Sequence, residues 1–101
     1  MINIKQLSEE FIGIGSVRGF TFAKIASTQH AYTYEVTTGE GSIHFEVFKR
    51  KNVPTCINYE NKTFDEQNRK EVYPKNEDFG KWAWTYKSKE LAIEKMQSIH
   101  D

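Results

Sequence analysis

Phe79-Gly80-Lys81-Trp82-Ala83-Trp84-Thr85-Tyr86 runs through Lys87 into Ser88-Lys89-Glu90, and this junction decides the fold. Both tryptophans of the chain lie in the first segment, two residues apart, with Tyr86 in step. Strand side chains alternate between faces, so the pattern predicts a last strand over 81–86 with Trp82, Trp84 and Tyr86 on one side and Ala83 and Thr85 on the other. Ser88 is then a good N-cap, and Glu90 falls in a first turn, where the helix dipole favours an anion. Ala92, Ile93, Met96 and Ile99 recur as an apolar stripe, which predicts a helix over 89–99 with Glu90, Glu94, Gln97 and Ser98 turned away.

Upstream, the same two-residue period marks three more strands. The first spans roughly 17–27, with Phe20 and Phe22 opposed to Thr21, Ala23 and Ile25. Ala31-Tyr32-Thr33-Tyr34-Glu35-Val36 alternates most cleanly. Gly39-Glu40-Gly41 follows as a hairpin loop, whose glycines are free to take positive φ. The third strand sets Ile43, Phe45 and Val47 against His44, Glu46, Phe48 and Arg50. Short loops between these strands imply an antiparallel meander.

Two regions read differently. Ile4, Leu7 and Phe11 have helical spacing, with Asn3 as a cap and Gly13 as a stop, which predicts a short amphipathic helix over 4–12. Residues 53–59 suggest a short strand disturbed by Pro54, while Glu60–Glu71 is nearly all polar and reads as a long exposed loop or hairpin tip.

Laid side by side, the strands give one aromatic surface bearing Phe20, Phe22, Tyr32, Tyr34, Ile43, Phe45, Val47, Trp82 and Trp84. The reverse surface carries Thr21, Thr33, Glu35, His44, Glu46, Arg50 and Thr85. A sheet of that kind packs helices on its apolar side only. The expected fold class is therefore α+β: a single antiparallel sheet of four to five strands in a meander, covered on one face by the C-terminal helix and the short N-terminal one. The 101 residues form one domain, 1–101, with an aromatic core.

The order Gly19-Phe20-Thr21-Phe22, Tyr34-Glu35-Val36, Phe45-Glu46-Val47-Phe48, Tyr73-Pro74 and Phe79–Trp84 resembles small uncharacterised bacterial proteins, some carried on mobile elements. The resemblance covers residues 17–99. It implies a bacterial origin, brings no activity with it and transfers no site residue.

Fourteen basic residues balance fourteen acidic ones, which weighs against a domain devoted to neutralising phosphates. One cysteine, Cys56, excludes an internal disulfide, and no signal sequence or membrane-length apolar run is visible, so the cytoplasm is the expected location. His30, His44 and His100 stand alone, without metal-ligand spacing, and Cys56 reads as an inert, half-buried thiol. Gly13-Ile14-Gly15 precedes the first strand, the wrong context for a phosphate loop. No catalytic residue, metal or cofactor is expected, and the chain does not read as an enzyme.

What remains is a binding surface. Lys49-Arg50-Lys51, with Arg69 and Lys70, forms a basic cluster, beside which His44 and the out-of-pattern aromatic Phe48 are candidate contacts. The leading expectation is a small module that engages another protein through the polar sheet face or the 52–71 loop. The alternative is an accessory nucleic-acid binder using the Lys/Arg cluster. Exposed strand edges also allow a homodimer, and no membrane contact is expected.

Overall fold

The computed structural model describes residues 2–58 and 60–100. The chain is a small α+β fold with β1 (Asn3–Lys5), β2 (Glu10–Ile12), β3 (Thr21–Ser27), β4 (Ala31–Thr37), β5 (Ile43–Lys49), β6 (Asn52–Asn58), β7 (Thr63–Glu71), β8 (Ala83–Tyr86) and α1 (Lys89–Ser98). The strands make two sheets, ordered β1-β7-β6 and β2-β3-β4-β5-β8, which corrects the expectation of one. Backbone proximity divides the chain into two compact units, Met1–Leu7 with Arg50–Tyr73 and Ser8–Lys49 with Pro74–Asp101.

In the larger unit, the meander β3-β4-β5 is antiparallel as expected, and β8 joins it along β5. Gly41 takes φ 91° in the β4–β5 loop, the left-handed turn its position suggested. The first strand starts only at Thr21, because Gly15–Val17 forms a 3-10 turn ahead of it. The predicted N-terminal helix is absent. Asn3–Lys5 and Glu10–Ile12 are strands, and Phe11 sits opposite Phe22 in antiparallel register. So few residues could not sustain a helix alone, and strand pairing satisfies their backbone instead.

The C-terminal helix is as read. Ser88 accepts a hydrogen bond from the Leu91 amide at 3.3 Å. Ala92, Met96 and Ile99 form one buried cluster with Ala31, Phe45 and Val47, and Trp84, Tyr86 and Ile93 pack around it.

Register overturns the division of faces. Tyr32 lies opposite Phe48, whereas Thr33 lies opposite Val47. The helix therefore packs on Ala31, Phe45, Val47, Trp84 and Tyr86, while Phe22, Tyr32, Tyr34, Val36 and Phe48 share the reverse face. That reverse face is not the expected wet one, for Tyr32, Tyr34, Val36 and Phe48 are at most 1% exposed. Phe11 stacks on Phe22 with ring centroids 4.7 Å apart, and the Tyr34 hydroxyl donates to the Ser8 carbonyl at 2.7 Å. Trp82 precedes β8 and meets Phe48 edge-on at 6.2 Å, so the two indoles serve opposite faces.

The smaller unit is built from β1, β6 and β7. The short strand expected over 53–59 is β6, Asn52–Asn58, and the segment 60–71, expected as a long loop or hairpin tip, is mostly the strand β7 paired antiparallel with it, with β1 added in parallel along β7. Most of its side chains are exposed on both faces, so the strands carry no alternation to read. Pro54 is tolerated because β6 is an edge strand, where its missing N–H is not needed. Tyr59 lies outside the described residues. Glu71 anchors this unit: 8% exposed, it accepts from the Leu7 amide at 3.0 Å and from Arg50 Nε at 2.8 Å.

Candidate binding surfaces

The seven residues expected to form one surface divide between the two units: His44, Phe48 and Lys49 belong to the larger, Arg50, Lys51, Arg69 and Lys70 to the smaller. His44 is half-buried on β5, its Nε2 2.8 Å from Glu46 Oε2. Strand alternation accounts for that contact, since positions two apart share a face. Phe48 is fully buried, with its ring stacked on Tyr34 at 5.7 Å and edge-on to Tyr32 at 6.0 Å. It is a core residue and is withdrawn from any contact surface.

The basic cluster divides between Lys49 and Arg50, which belong to different units. Arg50 is committed to Glu71. Arg69 donates to Asn52 Oδ1 at 2.6 Å and pairs with Glu66. Their guanidinium groups are occupied within the unit, so two of the five cations expected to meet a ligand are already engaged. Lys51 and Lys70 are exposed, and Lys70 has Lys5 as its neighbour across the strands. Asp65 is the acid of the hairpin with a shifted titration. The Asn68 side-chain amide at 2.7 Å, and then the Gln67 backbone N–H at 2.9 Å, hold its carboxyl below the usual carboxylate range.

Cys56 is exposed, not half-buried, because both faces of its hairpin are open. Among the described residues, no group of three His, Cys, Asp or Glu side chains is placed to hold a metal ion. No described helix is long and apolar enough to cross a membrane.

Two surfaces of the larger unit emerge that residue spacing did not mark. The first follows from the size of α1. Five strands spaced about 4.8 Å apart make a sheet roughly 20 Å wide, and a helix is about 10 Å across. The helix packs on β4, β5 and β8. On the same face, the register Ile12–Thr21–Thr37–Ile43 forms a row across four strands. Ile12 is 71% exposed and Ile43 53%. The next row on that face carries Glu10, Ala23 and Glu35. From these rows Ile12, Thr21, Thr37, Glu10, Ala23 and Glu35 line an open groove of about 620 Å³ with two carboxylates; Ile43 ends the first row, outside that lining.

The second surface is a depression of about 400 Å³ where α1 ends, lined by Lys49, Lys81, Trp84, Lys95, Ile99 and His100. Of these, only Lys49 belonged to the expected surface. The others come from the turn before β8 and from the helix terminus, elements that only the register of β5 and β8 brings together. No family model matches this chain, and neither do curated proteins or solved structures.

Proposed function

We propose that the chain is a small, non-enzymatic module that binds another protein. The partner's contact is an amphipathic helix seated in the groove beside α1. The observation that carries this reading is the exposure of Ile12 and Ile43 on the face that α1 otherwise buries. An α/β layer gains stability by covering its apolar face, and large apolar side chains left open on a sheet mark a contact surface. A second helix of two to three turns, lying alongside α1, would cover both isoleucines. The chemistry of the occupant follows from the groove and from the open isoleucine at the end of the same row: an aliphatic stripe for Ile12 and Ile43, flanked by Lys or Arg for Glu10 and Glu35. The polar sheet face and the 52–71 segment are not needed for this contact.

Ile12→Asp and Ile43→Asp place charge where the partner's stripe would lie, and Glu10→Lys with Glu35→Lys reverses the electrostatics. Affinity capture from the native host should recover a protein with the wild type that both variant pairs lose, while their thermal unfolding stays near that of the wild type. A partner retained undiminished by both pairs would rule out this groove.

A further inference from the structure

We propose that the depression at the C-terminal end of α1 is a phosphate-binding site, separate from the groove that would take a partner helix. Three lysines line it from three elements: Lys49 ends β5, Lys81 lies in the turn before β8, and Lys95 sits in the last turn of α1. Among the described residues no acidic side chain lines it, and no carboxylate pairs with any of the three lysines. In a chain with as many acidic as basic groups, a gathering of three lysines with no described carboxylate among them, and only the partial negative charge of the α1 C-terminus beside it, is a cost that folding alone does not explain.

Lys95 has a structural account, since its ammonium lies 4.1 Å from the Trp84 ring centroid and a cation suits a helix C-terminus. Lys49 and Lys81 have none. Their backbone positions are nevertheless held firmly. The Lys49 amide donates to the Trp82 carbonyl at 3.0 Å and the Lys81 amide to the Asp78 carbonyl at 3.0 Å. Gly80, at φ 92°, makes the left-handed turn that delivers Lys81. The backbone thus holds the lysine positions before any anion arrives, and His100 completes the lining.

Lysine binds phosphate as a point charge, whereas planar carboxylates are better matched by the fork of arginine, which is absent from this lining. The volume is that of a small-molecule site and would hold a phosphate ester of nucleotide size. Because Lys95 occupies the Trp84 ring, recognition rests on charge and not on stacking of a base. The shared chemistry is a phosphate group, carried either by a free nucleotide or by the backbone of a single strand.

Amide NMR titrations of the full chain with inorganic phosphate, adenosine monophosphate and a short single-stranded oligonucleotide test this, with sodium chloride at matched ionic strength as control. Phosphate, and not chloride, should shift the amides of Lys49, Lys81, Lys95 and His100. K81Q alters an exposed side chain and should weaken phosphate binding about threefold, the effect of one exposed ion pair. If a strand backbone is the source, the oligonucleotide binds more tightly than the mononucleotide. Its affinity then falls with a log–log salt slope near −2 for three lysines, reduced by about 0.7 in K81Q. If a free ester is the source, the mononucleotide matches the oligonucleotide. Equal shifts with chloride and phosphate, or binding of all three probes unchanged in K81Q, would overturn the site.

Discussion

Replacing Phe48 with alanine should destabilise the protein by about 3–5 kcal/mol, the range for deleting a buried phenylalanine ring. The structure gives the reason in parts. Phe48 is 0% exposed, so the whole ring is lost from a desolvated site. Full burial of such a side chain contributes about 1.5–3 kcal/mol, and the remaining cavity adds to the loss. Three aromatic partners lose a neighbour: Tyr34 stacked at 5.7 Å, and Tyr32 and Trp82 edge-on at 6.0 and 6.2 Å. These rings stand on β4 and on the turn before β8, so they cannot close the gap by one local movement. Phe64 is the internal control. It is 51% exposed on the hairpin, and Phe64→Ala should change stability by less than about 0.5 kcal/mol. Urea titration followed by tryptophan fluorescence, with m-values compared, measures both. The melting temperature of Phe48→Ala should fall by more than about 12 °C. Equal effects at the two positions, both under about 1 kcal/mol, would refute the packed reverse face and restore Phe48 as a surface residue.

Three further outcomes are expected. Glu71→Ala removes the carboxylate that Arg50 Nε and the Leu7 amide share, and should destabilise by about 1–3 kcal/mol; Glu71→Gln keeps one acceptor and should cost less, with hydrogen exchange at the Leu7 amide reporting the difference. Thr33 is fully buried, and its Oγ1 has no hydrogen-bond partner among the described residues, so Thr33→Val should raise stability by about 1 kcal/mol in thermal unfolding. The Asp65 carboxyl titrates lower folded than unfolded, so its contribution is complete above its unfolded value of about 4 and is lost as pH falls through the lower folded value. Asp65→Asn should therefore flatten the wild-type loss of hairpin amide protection below about pH 4, and identical acid profiles for the two proteins would contradict that sign.

The C-terminal helix was legible in full because its signals are local: a serine cap, an acid in the first turn and an apolar stripe on one side. The meander was legible for the same reason, through alternation broken by Gly39 and Gly41. The distribution of side chains between faces was not, and β4 shows why. Ala31, Tyr32, Thr33 and Tyr34 are all buried, so both sides of the strand are covered and alternation no longer says which side is the core. A register displaced by one residue moves a whole strand's side chains to the other face, and nothing local specifies it when both faces are apolar. Aligning Tyr32 with Val47 looked as good on paper as the actual Tyr32–Phe48 pairing. Of the hairpin, β6 was legible but β7 read as a loop or hairpin tip, for the opposite reason: exposed on both faces, its side chains carry no apolar period and the strand is held by the backbone ladder. As for binding surfaces, spacing grouped Lys49 with Arg50 and Lys51 because they are consecutive. The fold instead sets Lys49 with Lys81 and Lys95 and commits Arg50 to a carboxylate.

The two open surfaces of the larger unit sit on one face of one sheet, yet they cannot stand in for each other. Ile43 begins β5 and Lys49 ends it, and six residues of strand separate them by about 20 Å. At the Ile43 end, Glu10 and Glu35 give the groove a negative rim; at the Lys49 end, the depression is lined by cations alone among its charged groups. Sites more than about 10 Å apart with no shared residue behave additively. Charge removal at Lys81 should therefore leave capture by the groove intact, and Ile12→Asp with Ile43→Asp should leave phosphate binding intact. A partner that engaged both ends would need a basic helix and an anionic group spaced to match. In that case the two sets of variants would couple, and the coupling would measure the span of the partner. Independence would instead mean that the face α1 covers over β4, β5 and β8 carries two contacts of opposite sign, one at each end of β5.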